Sequence, residues 1–195
     1  MTVTTIFLQI FLGNLNAQDR GTFIDDRDGK KYKWVRIGEQ VWMAENLAYA
    51  CKGSGYFDLN KYGRIYDWRA AVSACPYGWH LPTDNEWKEL ELFIGMPKNL
   101  VDDDSWDRHY GNAGIKLKAR AGWQYYGQEG NGNDSYGFTA LPGGYFQGST
   151  GRFMYYGTSV TFWTSTRELS SRYDGIGRNS MYKTHGAYCR CIKDN

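Results

Sequence analysis

No apolar run in this chain of 195 residues is long enough for a membrane-spanning helix. Basic runs are also missing. The formal net charge is only +2, and a nucleic-acid groove normally shows a clustered basic face, so that partner is disfavoured. Proline is scarce, at 4 residues, and neither an internal repeat nor a second domain is visible. His80 has no Ser or Cys nucleophile motif beside it, and no catalytic constellation emerges elsewhere.

Aromatic residues and glycine are abundant: Tyr 16, Trp 8, Phe 9 and Gly 24. The length suffices for one well-buried core. Many aromatics with many glycines predict short strands, tight turns and long ordered loops. The apolar run Val3 to Leu12 is too short to span a bilayer. It leads to Leu15 and Ala17 at the −3 and −1 places of a signal-peptidase site, although no lysine or arginine precedes Arg20. Residues 1–17 therefore read as an export signal and 18–195 as a single domain.

The stretch Cys75 to Trp87 carries the sharpest local signal. Thr83 with Glu86 forms a capping box, and Pro82 keeps Leu81 extended, so a helix starts after Thr83. Trp87, Leu90 and Ile94 follow at helical spacing, with Phe93 beside them, and Gly95 stops the helix. Asp67 caps an earlier helix through Trp68, Ala70, Ala71 and Val72. Asp28-Gly29 between Thr22-Phe23-Ile24 and Tyr32-Lys33-Trp34-Val35 predicts a hairpin, and a second one turns at Gly38. The hairpin also explains the carboxylates of Asp25-Asp26-Arg27-Asp28-Gly29 without a metal. Gly111 to Gly157 shows no helical period and reads as loops joined by short strands. Phe162 to Thr166 and Ala187 to Lys193 read as closing strands.

The cysteines are Cys51, Cys75, Cys189 and Cys191, an even number in a chain read as exported, which predicts two disulfides. Cys189 and Cys191 face the same side of a strand and do not readily bond each other, which leaves two arrangements. Asn131, Asn133 and Asp134, in Gly130-Asn131-Gly132-Asn133-Asp134, offer hard oxygens and make a weak calcium candidate. The preferred reading is a turn whose side chains bond their own backbone. In strands, one member of each pair Tyr125-Tyr126, Tyr145-Phe146 and Tyr155-Tyr156 points outward, where a tyrosine can stack on a sugar face or contact protein. Tyr136, Tyr145 and Tyr155 join the Asn/Asp loop as ligand-binding candidates.

Four ordered segments carry a resemblance. They are Asp26-Arg27-Asp28-Gly29-Lys30 leading to Ile37-Gly38-Glu39-Gln40-Val41-Trp42-Met43-Ala44-Glu45-Asn46-Leu47; Tyr62-Gly63-Arg64-Ile65-Tyr66-Asp67-Trp68 leading to the Cys75 stretch; Gly130 to Phe138 with Ala140-Leu141-Pro142-Gly143-Gly144-Tyr145; and Phe162-Trp163-Thr164-Ser165-Thr166 with Arg190-Cys191-Ile192-Lys193-Asp194. From about Thr22 to Asp194 the chain resembles the Fibrobacter succinogenes major paralogous domain, a group of secreted bacterial domains with no settled activity. The resemblance implies an α+β, C-type-lectin-like fold with two helices, shared with the formylglycine-generating enzymes. It also implies that Cys75 pairs with Cys191, and Cys51 with Cys189 follows as a second bridge. The functional expectation is an exported, non-enzymatic binding or adhesion module of the bacterial surface, with a glycan or a protein as ligand and no cofactor unless calcium binds. The alternatives are an enzyme related to the formylglycine-generating group and a purely structural surface domain.

Overall fold

A computed structural model describes residues 19–104, 112–125, 128–164, 166–178 and 180–194. The expected export signal therefore lies outside the described residues.

Strands β1 (Arg20–Asp25), β2 (Lys30–Ile37) and β3 (Gln40–Met43) form the two expected hairpins. Gly29 and Gly38 supply the positive φ values, 72° and 61°, that the two turns require. Next come β4 (Ser54–Gly55), α1 (Leu59–Tyr62), β5 (Ile65–Tyr66), α2 (Trp68–Ala74), β6 (Trp79–His80) and α3 (Asp84–Phe93). The chain continues through α4 (Ala113–Leu117), β7 (Gln124–Tyr125), β8 (Gln128–Glu129), β9 (Tyr145–Gln147) and β10 (Arg152–Met154). It ends with β11 (Ser159–Phe162), β12 (Arg167–Ser170), β13 (Gly177–Arg178), β14 (Ala187–Tyr188) and β15 (Ile192–Lys193). A five-stranded sheet runs β1-β2-β3-β15-β6 and a six-stranded sheet runs β13-β12-β11-β14-β5-β4; β7-β8 and β9-β10 are separate ribbons. Pairing is antiparallel except between β11 and β14. The fold is thus α+β, mostly antiparallel with a few short helices.

Both expected helices form, but the fold holds more than the two expected, since the short α1 and α4 join them. Asp67 caps α2 by accepting from the Ala70 N–H, and Thr83 with Glu86 makes the complete capping box of α3. Helix α3 buries Trp87 and Leu90, with Ile94 as its cap, and Gly95 follows with φ 99°. Burying each of those side chains contributes roughly 1.5–3 kcal/mol. Trp87 packs between Trp42 at 4.9 Å and Phe162 at 5.8 Å, so the helix faces a core shared by both large sheets. A second core gathers Tyr32, Met43, Tyr66, Ala71, Trp163 and both Cys189 and Cys191.

Four expectations need correction. Of the expected closing strand Phe162 to Thr166, only Phe162 lies in a strand, the end of β11, and Trp163 and Thr164 begin the turn to β12. The stretch from Gly111 to Gly157 is not wholly loop and strand, because α4 lies inside it. Five residues make little more than one turn, too few to show a period. The segment from Ala187 to Lys193 is two strands in different sheets. Between them Cys189 accepts from the Leu47 N–H and Cys191 from the Met43 N–H, so the break is where the chain crosses from one sheet to the other. Finally, Cys75 bonds Cys191, with Cα atoms 5.9 Å apart, but Cys51 and Cys189 remain free thiols. Cys51 sits in a turn set by Ser54, whose hydroxyl donates to the Cys51 carbonyl and accepts from its N–H. Local hydrogen bonding, rather than a bridge, fixes that backbone.

Candidate functional site

The ribbon β9-β10 pairs Tyr145 with Met154 and Phe146 with Phe153. Gly144 makes this possible: at φ 71° an added Cβ would lie 1.9 Å from the Met154 carbonyl oxygen. Gly186 does the same on the other side, bridging Phe146 where a Cβ would strike Ile65 at 2.2 Å. Two glycines therefore press the ribbon onto the six-stranded sheet and hold its aromatic rings in place.

Those rings form two neighbouring groups. Tyr145 lies 6.0 Å from Tyr155 and stacks on His185 at 6.0 Å and 10°, and Tyr182 leans on His185 at 5.5 Å. Tyr156 stacks on Phe57 at 4.5 Å, while Phe153 meets both Phe57 and Phe146. Tyr155 is 59% exposed, Tyr156 54% and Tyr182 78%. Tyr155 also holds φ 56°, a left-handed conformation uncommon for a residue with a Cβ. Burial is the largest influence raising the Tyr145 pKa, so its hydroxyl stays protonated and can donate. Flat rings with polar tips can lie against the C–H face of a sugar while bonding its hydroxyls.

The candidate residues divide between places. Tyr145 and Tyr155 meet in this aromatic surface. Tyr136 instead packs on the larger core, edge-on to Phe93 at 5.9 Å. Side chains of Tyr125 and Tyr126 lie outside the described residues. In the Asn/Asp loop, Asn131 accepts from the Trp123 N–H and Asn133 from the Ser135 hydroxyl. Asp134 accepts from both the N–H and the hydroxyl of Thr139, at 2.8 Å each. All three side chains are thus engaged in holding the turn. Among the described residues, no cluster of three or more His, Cys, Asp or Glu could hold a metal ion. Phe57, Tyr156, Tyr182 and His185 were not named as candidates from the sequence. Only their aromatic character could have marked them, and long loops separate them.

His80 is tethered between two carboxylates. Its Nδ1 faces Asp194 at 2.6 Å and its Nε2 faces Glu86 at 2.8 Å. Desolvation pulls its pKa down, but hydrogen bonds to Asp194 and Glu86 outweigh it and the pKa is raised.

The Fibrobacter succinogenes major domain matches residues 35–193. The chain belongs to that family. Membership names the domain and assigns no activity. The match begins at Val35, so β1 and most of β2 lie before it, although both pair into the five-stranded sheet. No curated protein and no solved structure matches this chain. Among the described residues, no helix is long and apolar enough to cross a membrane.

Proposed function

We propose that this family member is an exported, non-enzymatic module that binds glycans through the aromatic surface of β9-β10. The observation that carries this reading is the exposed Tyr155, Tyr156 and Tyr182 around the half-buried Tyr145, on a ribbon that Gly144 and Gly186 allow to pack closely. Exposed aromatic surface of this kind marks interaction sites. Export is supported by the N-terminal apolar run and by the Cys75–Cys191 bridge, since disulfides persist in oxidising compartments. A C-type-lectin-like arrangement is supported by the same bridge, which ties the end of α2 to the residue before β15.

A neutral-glycan array followed by calorimetry on the best ligand tests the reading. The double substitution Tyr155→Ala/Tyr156→Ala should weaken binding about tenfold or more, since each ring contributes about 0.5–1.5 kcal/mol beyond its buried area. An array blank for every neutral glycan, or an affinity untouched by the double substitution, refutes it.

A further inference from the structure

A separate cleft of about 740 Å³ opens between the β1-β2 hairpin, α1 and the loop from Asp134 to Leu141. That volume is in the range of small-ligand sites. Its charge is lopsided. Arg20, Lys30, Lys31, Lys33, Lys61 and Arg190 line it against Glu45 and Asp134. Lys30 pairs with Asp25 on the opposite face of the hairpin, its Nζ 5.4 Å from the Tyr32 ring. Five cations therefore face two carboxylates, an excess of three positive charges, while the whole chain carries only +2.

The hairpin register explains the concentration. Lys33 pairs with Thr22 and Lys31 with Ile24, and cross-strand partners share a face, so the two lysines project together. Arg20 pairs with Val35 on the same face. Trp34 lies across Gly21, where an added Cβ would come within 2.7 Å of the indole. Arg190, 1% exposed, belongs to the inner wall. Its guanidinium donates to Asn46 Oδ1 at 2.6 Å, to the Met43 carbonyl at 3.2 Å and to the Thr139 carbonyl at 3.0 Å, and also to the Phe138 carbonyl. Those acceptors are all neutral, and among the described residues no carboxylate hydrogen-bonds it. Burial therefore pulls its pKa down, with Asp134 and Glu45 opposing from a distance. The two carboxylates of the cleft thus act on the buried arginine. Lys33 pairs with Glu45 at 3.6 Å, and the rim remains positive.

We infer that this cleft binds an acidic oligosaccharide, a sugar bearing carboxylate or sulfate groups. The rim lysines answer the anionic group. Asp134, bonded to Thr139, and Glu45, bonded to Lys33, each keep further lone pairs to accept sugar hydroxyls but repel a continuous phosphate backbone, and a cleft of this size does not supply the extended basic track of a nucleic-acid site. This goes beyond the aromatic surface and uses none of its residues.

The test is calorimetry with uronate oligomers, sulfated oligomers and their neutral counterparts at low and moderate salt. Binding is expected for one or both acidic series and not for the neutral one, weakening as salt rises. The uronate and sulfated arms tell which acid is preferred. Lys31→Gln/Lys33→Gln should lower affinity about tenfold or more, from the loss of charge-assisted bonds. Thr22→Glu, which puts a carboxylate between those lysines on an exposed strand position, should abolish binding without touching them. Melting curves check that both proteins fold. Unchanged affinity in either variant overturns the assignment. So does equal, lysine-dependent binding of inorganic sulfate, single-stranded DNA or anionic phospholipid vesicles, which would mark an undifferentiated anion surface.

Discussion

Removing Arg167 should destabilise this domain more than any surface substitution, and the structure supplies the size of the effect. Arg167 and Arg178 are direct cross-strand partners on β12 and β13. Like charges facing each other are unfavourable, so something must lie between them. Asp84, at the start of α3, accepts from Arg167 Nη2 at 2.9 Å and from Arg178 Nη2 at 2.9 Å. Arg167 Nε also donates to Glu91 at 2.6 Å, and both of those side chains are 0% exposed. Arg167→Met takes the guanidinium away from the buried Glu91 carboxylate, at a cost of about 3–5 kcal/mol for breaking a buried pair. Asp84 suffers less, since Arg178 and Lys88 still reach it. Glu91→Leu/Arg167→Met removes the buried carboxylate as well and should recover most of the loss. Urea unfolding followed by tryptophan fluorescence measures both, provided the slope with denaturant stays constant. The acid limb gives a second readout. Desolvation alone would raise the Asp84 pKa, but hydrogen bonds from Lys88 and Arg167 and the Arg167 charge outweigh it, and the pKa is held well below the usual carboxylate range. That stability is present above the unfolded pKa of about 4 and is lost as pH falls towards the folded value, so Arg167→Met should shrink the acid loss. A single variant within about 0.5 kcal/mol of wild type, or a double variant as unstable as the single, refutes the reasoning.

Two further outcomes are expected. Burial lowers the pKa of Lys118 to about 8, so its charged form penalises the fold. Stability from this group rises as pH climbs from about 8 to 10.5, and the advantage of Lys118→Met over wild type at pH 7 should shrink by roughly 3 kcal/mol across that window; a pH-independent difference between the two melting curves contradicts this. Calcium and chelator should give the same melting temperature, because Asn131, Asn133 and Asp134 already hold the turn and three side-chain oxygens fall short of a calcium shell. A calcium-dependent rise that disappears in Asp134→Ala would overturn the turn reading.

What the sequence made legible was whatever depends on neighbours in the chain. Thr83 with Glu86, Asp67 before Trp68, and Asp28-Gly29 each specify their structure within a few residues, and each forms as expected. The Cys75–Cys191 bridge, across 116 residues, came through the family resemblance and not through spacing. The expected Cys51–Cys189 bridge is not formed, and both are free thiols. The crossing at Cys189–Cys191 was invisible because apolar continuity does not say which sheet a strand joins. The site was legible only in fragments. Tyr145 and Tyr155 could be named, yet their meeting with His185 and Tyr182 depends on Gly144 packing against Met154 and Gly186 against Ile65. The cleft was missed because the Lys30-Lys31-Tyr32-Lys33 cluster alone does not show that Arg20, Lys61 and Arg190, distant in sequence, join it.

The boundary of the family match separates the two surfaces. Tyr145, Tyr155, Tyr156 and Tyr182 all fall within residues 35–193. Arg20, Lys30, Lys31 and Lys33 precede it, whereas Lys61 and Arg190 lie inside. The cleft's inner wall thus belongs to the matched domain, and most of its positive rim belongs to a hairpin that the match does not reach. Since β2 continues across that boundary from Lys30 to Ile37, the added rim is held as rigidly as the sheet itself. Charge at the rim can therefore change without disturbing the core, because Lys31 and Lys33 are exposed while Tyr32 and Val35 between and beyond them are buried. On this reasoning Lys31 and Lys33 can be replaced to probe the cleft without unsettling the core that Tyr32 and Val35 help to build.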